Sequence, residues 1–420
     1  MDSFTDLLRT TPIDTQKYEE LYKHFHAHPE LSNLEAETAK TVADHLSRLG
    51  AFEITTNIGG HGLAGVLKNG SGKTILLRAD MDGLPVLEAT GLPYASEVAM
   101  ADVEGTIRPV MHACGHDMHM TCLLAAAEIL VKLKESWSGT LVVLFQPAEE
   151  RGTGAKAMVD DGLYERHQIP VPDFALGQHV MAMRAGSVGL KTGTIMAGAD
   201  SMRITLFGVG GHGSQPHRTI DPAVMAAHVV VRLQTVVSRE INPADISVLT
   251  VGSLQAGHTE NIIADSAEIG IDIRSVKPET REKLLASIRR IVNAECEASG
   301  ATVPPVFKMT RHLPNTFNDD AMTKTLSQSF IEHFGSSFDP NIATTTIAED
   351  FSILATSQGR PCVFWHWGGI EEGLWDQHLK EGTTEEIPAN HTSRFAPAIQ
   401  PTMQTGIDAL CFAALTFFRQ

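Results

Sequence analysis

The chain has 420 residues, enough for two or three domains, and 43% of them are hydrophobic, enough to build large cores. Its 33 Lys+Arg against 50 Asp+Glu give a net charge of −17, which makes nucleic acid and anionic membrane surfaces poor partners. Five scattered cysteines are too few for a disulfide scaffold, the acidic start Met-Asp-Ser-Phe-Thr-Asp has no basic or apolar leader, and no apolar run approaches the roughly 20 residues a bilayer needs, so a cytoplasmic protein is expected.

Apolar periodicity over residues 34–49 predicts a helix, and the run Thr-Ile-Leu-Leu-Arg-Ala-Asp at 74–80 predicts a strand. Residues 111–119, Met-His-Ala-Cys-Gly-His-Asp-Met-His, then place a thiol, three imidazoles and a carboxylate in nine positions, ahead of a helix expected at 121–134. A thiolate at Cys114 and a neutral imidazole at His116 suit zinc-like divalent ions. A thiol nucleophile would also want a nearby histidine, but it gives no reason for the further donors that follow.

The next strand, expected at 141–145, stops at Pro147 and delivers Glu149 and Glu150 at a strand end, where open α/β sheets collect their ligands. Neighbours on an extended chain point to opposite sides, so one carboxylate is expected to hold metal while the other handles protons. A further apolar stretch ends in His179, and His391 follows in Ala-Asn-His-Thr-Ser-Arg-Phe, where only the fold can bring it alongside. Between them the texture changes near residue 199. A half-exposed strand at 201–207, a helix at 221–237, strands at 246–251 and 267–273 and a helix at 278–298 describe a small α+β sandwich. The glycine-rich turn 208–217 in this segment carries His212 and His217, and it lacks the lysine and following helix of a phosphate loop.

The order of elements predicts an α/β fold with a mostly parallel sheet covered by helices. Its first part is expected at 1–197, an inserted α+β sandwich domain at 198–312, and its second part at 313–420, closing with a buried terminal helix near 409–418.

Seven motifs in order resemble one family: Phe25-His-Ala-His-Pro-Glu-Leu-Ser, Arg78-Ala-Asp-Met-Asp-Gly-Leu-Pro, His112-Ala-Cys-Gly-His-Asp, Gln146-Pro-Ala-Glu-Glu, Gly177-Gln-His, Gly211-His-Gly-Ser-Gln-Pro-His and Glu349-Asp-Phe. The family is that of the metallo-amidohydrolases related to hippurate hydrolase, N-acyl-amino-acid aminoacylases and plant indole-acetyl-amino-acid hydrolases. The resemblance runs from about residue 15 to the C-terminus. It implies two divalent metal ions per subunit, zinc first with manganese or cobalt as alternatives, held by Cys114, His116, Glu150, His179 and His391. It also implies Glu149 as the base that deprotonates a metal-activated water, and His212 polarising the scissile carbonyl in a neighbouring subunit of a homodimer joined through the inserted lid domain. Asn261 and Arg274 match residues that hold substrate carbonyl or carboxylate groups, and Asp117 is expected to orient a ligand imidazole. The implied reaction is hydrolysis of an N-acyl amino acid to a carboxylic acid and a free amino acid, with a dipeptidase or carboxypeptidase on the same site as the alternative. Two departures stand out, Gly83 and Ser393, and the cluster Trp365-His366-Trp367 is a candidate for shaping specificity.

Overall fold

The expected strand at 74–80 forms as Thr74–Asp80 and lies inside an eight-stranded sheet. This computed structural model describes residues 4–419, and the first three residues of the acidic start lie outside the described residues. In spatial order the strands are Glu53–Ile58, Gly62–Asn69, Gly139–Gln146, Thr74–Asp80, Phe174–Arg184, Cys362–Ile370, Val188–Gly189 and Phe338–Asp339. The central four, from Gly139–Gln146 to Cys362–Ile370, pair in parallel, as expected of strands joined by helical crossovers. Their residues are buried on both faces, which explains why they read as continuous apolar runs rather than alternating ones.

Two compact units divide the chain. One comprises Met1–Ile195, Phe317–Ala343 and Asp350–Gln420, and the other Met196–Thr316 with Thr344–Glu349. The short return 344–349 joins the second unit because the Ala197 N–H donates to the Thr345 carbonyl.

In the first unit, helix His116–Lys132 is buried almost all round and packs against the terminal helix Thr402–Phe418. Burying side chains such as Leu123, Leu410 and Phe417 stabilises the unit by roughly 1.5–3 kcal/mol each. Helix His116–Lys132 starts five residues earlier than its apolar periodicity predicts, so the second half of the metal-like motif is helical. Gly115 makes this start possible. It sits at the cap with φ 86, and a side chain there would drive a Cβ to 2.4 Å from Val180 Cγ1. Trp365 and Trp367 are wholly buried, with their indole N–H groups donating to Gln178 Oε1 and the Thr402 carbonyl, so both indoles build core.

The second unit is a four-stranded antiparallel sheet in the order Ser247–Ala256, Ser266–Ser275, Gly198–Phe207, Val306–Leu313. Strand Ser266–Ser275 alternates strictly, with Ala267, Ile269, Ile271 and Ile273 facing a core shared with helices Pro222–Arg239 and Pro278–Ala298. The first helix starts where Pro222 follows Asp221, whose carboxylate accepts the Ala223 N–H at 2.8 Å. No helix among the described residues is long and apolar enough to cross a membrane.

Candidate metal centre

Parallel register sets the level of the site. Asp80 pairs with Gln146, and Arg78 with Gly177, so two residues further along Asp80 and His179 stand side by side near the strands' carboxyl ends. The strand Gly139–Gln146 then stops at Pro147, and Ala148 turns the chain with φ 49. Because of that turn Glu149 and Glu150 do not diverge as neighbours on an extended strand would. Both converge on His116, with carboxylate oxygens 4.0 and 3.7 Å from its Nε2. Their backbone N–H groups donate to the two oxygens of Asp82, each at 3.1 Å.

His116 is fully buried, and neither ring nitrogen makes a hydrogen bond. Asp82 Oδ1 lies 3.4 Å from its Nδ1 and Asp80 Oδ2 lies 3.6 Å from its Nε2. Asp117, expected to orient a ligand imidazole, instead accepts from His26 Nδ1 at 2.7 Å. Asp82 is the carboxylate that faces the Nδ1 side of the His116 ring. The Nδ1–H of His179 donates to the Val180 carbonyl at 2.7 Å, which leaves the Nε2 lone pair directed at Cys114 Sγ, 3.3 Å away. His391 arrives on a backbone turned to φ 69 and anchored by its N–H to the Ala113 carbonyl, and its Nε2 lies 3.1 Å from Cys114 Sγ and 3.4 Å from Glu150 Oε1. Its ring is half exposed, so the cluster opens to solvent on that side.

The buried acids and bases of the cluster shift one another strongly. Burial, together with the carboxylates of Glu150, Glu149 and Asp80, pushes the Cys114 thiol well above its ordinary range. Burial opposes a charge on His116, yet Asp80, Asp82 and Glu150 outweigh it and raise the imidazole to about 10. A soft thiol, borderline imidazole nitrogens and several buried carboxylates, with two ring nitrogens and Glu150 Oε1 unpartnered, fit divalent metal ions well. Overlapping groups with ligand atoms within 4.8 Å of one another are Cys114–His116–His179, Cys114–Glu150–His391 and His116–Glu149–Glu150.

One further group was not singled out from the sequence. His119, one helical turn from His116, donates from Nδ1 to Asp80 Oδ1 at 2.5 Å and accepts the Val180 N–H at Nε2. The i, i+3 spacing of two histidines on one helix face was the available signal. Burial would raise the Asp80 carboxyl, but Arg78, His116 and His119 hold it well below the usual range. His112 is buried with both ring nitrogens unpartnered and joins none of the candidate groups.

The remaining expected residues lie in the second unit. His212 pairs with Ile262 in a two-residue ladder, and the adjoining Gly213 N–H donates to the Asn261 carbonyl, so His212 and Asn261 are neighbours. The Ser214 N–H donates to His212 Nδ1 at 3.1 Å, which assigns the ring proton to Nε2. Arg274 stands eight residues beyond Ser266 on its strand, about 27 Å along it, and donates from Nε to Asp272 Oδ2.

A buried cluster of thiol, imidazoles and carboxylates beside the carboxyl ends of a mostly parallel sheet defines a metal-dependent hydrolase of the α/β class. The chain belongs to peptidase family M20/M25/M40, whose model matches residues 76–392. It is 39% identical over 328 residues to the hippurate hydrolase of Campylobacter jejuni, covering 77% of this chain and 81% of that one. Among solved structures, a protein of methicillin-resistant Staphylococcus aureus superposes with TM-score 0.83 and 31% identity over 99% of both chains. The YXEP protein of Bacillus subtilis, described as a dinuclear metal-binding peptidase of the same family, superposes with TM-score 0.74 and 26% identity over 96% of this chain and 97% of its own.

Proposed function

We propose that the protein hydrolyses the amide bond of N-acyl amino acids, releasing a carboxylic acid and a free amino acid. The observation that carries this reading is the convergence of Cys114, His116, Glu150, His179 and His391 from four separate segments, with the carboxylate of Glu149 beside them. These five residues would hold two divalent ions, zinc first and manganese or cobalt otherwise. When bound, such ions would polarise the amide carbonyl and lower the pKa of a water toward roughly 7.

Glu149 is assigned as the base. Its carboxylate takes a proton from the attacking water as the water oxygen bonds to the amide carbon, and it returns that proton to the nitrogen as the C–N bond breaks. Asp82 keeps this carboxylate in place by holding the backbone on which it sits. His212 is assigned to the carbonyl oxygen, where charge develops, because its Nε2 carries the donor proton. Asn261 and Arg274 are assigned to substrate oxygens, Arg274 to the amino acid carboxylate, since its fork binds both oxygens at once.

His212 is expected to act in the site of a second subunit. A homodimer is supported by the edge strand Ser247–Ala256, which exposes Val248 and Leu254, and by Val224 and Val231 exposed on helix Pro222–Arg239. A cytoplasmic location is supported by a thiolate ligand that works only when reduced, and all five cysteines are free.

The deciding experiment measures amine release by zinc- or manganese-loaded protein from N-acetyl, N-benzoyl and longer N-acyl amino acids, with unblocked dipeptides alongside. Cleavage of the acylated compounds alone is expected. Cleavage of the dipeptides alone would move the protein to a peptidase role on the same site.

A further inference from the structure

Glu35 is completely buried and stands at the N-cap of helix Ala36–Leu49, yet its side chain makes no cap hydrogen bond to that helix. Glu30 does so instead, accepting the Glu37 and Thr38 N–H groups at 3.3 and 2.8 Å. The Glu35 carboxylate is thereby released for another task. Its Oε1 accepts two N–H groups at 2.8 Å, one from Asn33 and one from Ala148, 113 residues away.

Both donors sit in the left-handed region, which Asn tolerates and Ala does not. Asn33 has φ 69 and Ala148 has φ 49, a region that disfavours residues with a Cβ and persists where surroundings enforce it. Ala148 is the residue that turns Glu149 and Glu150 toward His116. Three consecutive N–H groups, of Ala148, Glu149 and Glu150, are thus captured by two buried carboxylates, the first by Glu35 and the other two by Asp82. The strand-side carboxylate is itself tied to the Glu35 segment, since Ser32 Oγ donates to Asp82 Oδ2 at 2.6 Å.

We propose that Glu35 is a positioning residue for the hydrolytic centre: its buried carboxylate holds Ala148 in the left-handed turn that aims Glu149 and Glu150 at the metal-binding cluster. This rests on the roles given to those two residues above. Glu35 touches neither substrate nor metal, and without its carboxylate Ala148 relaxes toward the extended backbone, where neighbouring side chains diverge.

The test compares wild type, Glu35→Ala and Glu35→Gln by amide hydrogen exchange of the metal-free protein and by the visible spectrum of the cobalt-loaded protein. Neither readout needs turnover, so both decide the matter even if no acyl amino acid proves to be a substrate. In Glu35→Ala, exchange across residues 146–152 is expected to accelerate by about tenfold or more while helix Ala36–Leu49 keeps its protection. The cobalt spectrum is expected to shift as Glu150 moves. Glu35→Gln retains an acceptor oxygen and should restore both. In turnover, Glu35→Ala should lower kcat by about tenfold or more with KM changed by less than about threefold. Unchanged exchange at 146–152 with an unchanged cobalt spectrum would overturn the proposal, as would loss of protection confined to helix Ala36–Leu49, which would make Glu35 a helix cap. Where Glu35→Ala does not fold, Glu35→Asp, shorter by one methylene, is read by the same two measurements.

Discussion

His391 Nε2 lies 3.1 Å from Cys114 Sγ although 277 residues separate them. The contact is prepared by backbone, with the His391 N–H on the Ala113 carbonyl and the Asn390 amide on the Cys114 and Val180 carbonyls. The half-exposed ring contributes little to packing. His391→Ala is therefore expected to leave the melting temperature of the metal-free protein within a few degrees. Its affinity for zinc should fall by more than the roughly 10–100-fold seen when only a ligand's supporting partner is lost. Scanning calorimetry of the metal-free protein checks the first half and calorimetric zinc titration the second, and an unchanged affinity would remove His391 from the ligand set.

Metal binding should release protons. In the metal-free protein the Cys114 thiol is pushed up by burial and nearby carboxylates, and His116 is raised to about 10, so both carry protons at pH 7. A metal ion needs the thiolate and the neutral imidazole, so each must lose its proton on binding. Apparent affinity should then rise with pH between about 6 and 9, by up to tenfold per unit for each proton released. Titrations in buffers of different ionisation enthalpy count those protons. A count near zero would mean that these two groups do not ligate.

Glu149→Gln keeps the shape of the side chain and removes its ability to take a proton. Since Asp82 grips the backbone rather than this side chain, the local fold should survive. Metal content should remain, and kcat should fall by at least the roughly 10²–10⁴-fold that general acid–base catalysis supplies. Single-turnover kinetics with metal analysis are the check, and full turnover by this variant would reassign the base.

Regular elements were legible in the sequence where one physical signal dominated. Helix Pro278–Ala298 and strand Thr74–Asp80 appear with the expected bounds, the first from its 3.6-residue period and the proline at its start, the second from an unbroken apolar run. The misread points all turn on backbone geometry or burial that residue types do not disclose. Gly115 in the left-handed region starts its helix at His116 instead of Thr121. Ala148, an ordinary helix former, takes φ 49 and folds Glu149 and Glu150 together. Asp117 was expected to orient a ligand imidazole, but it packs against His26, and Asp82 faces the His116 ring instead. Trp365 and His366 alternate across a strand buried on both faces, so the aromatic cluster named as a candidate for shaping specificity is buried in the core.

In the second unit, Asp200 is buried and grips Arg281 with both oxygens, at 2.6 and 2.7 Å, while accepting from His312 Nδ1 at 2.8 Å. Burial alone would raise its carboxyl, but His312 and Arg281 hold it below the usual carboxylate range. A carboxylate with a depressed folded pKa contributes stability that is present above its unfolded pKa near 3.9 and is lost as pH falls through the folded value. Asp200→Asn should therefore cost this unit about 2–3 kcal/mol at pH 7, with the difference from wild type shrinking below about pH 4. Hydrogen exchange of strand Gly198–Phe207 at several pH values measures this directly. A penalty that stays constant down to pH 3 would show that the lost acceptor oxygen matters more than the lost charge.

If the proposed homodimer forms, complementation tells whether His212 serves its own subunit or a partner's. The ring is exposed, and the Ser214 N–H on Nδ1 fixes its proton on Nε2, so Nε2 carries a donor proton at the surface. His212→Ala and Glu149→Gln proteins should each be nearly inactive as homodimers, one lacking the carbonyl donor and the other the base. In a hybrid dimer with action in trans, the His212→Ala subunit supplies an intact Glu149 and its partner supplies an intact His212, so one of the two sites is complete. Random mixing makes half of the dimers hybrid, and the mixture should recover up to about a quarter of wild-type activity. Action in cis leaves every site with one defect, whichever subunits pair. Mixing after mild dissociation, with mass spectrometry to count hybrids, therefore separates the two arrangements. Hybrids that form without recovering activity would confine His212 to its own subunit.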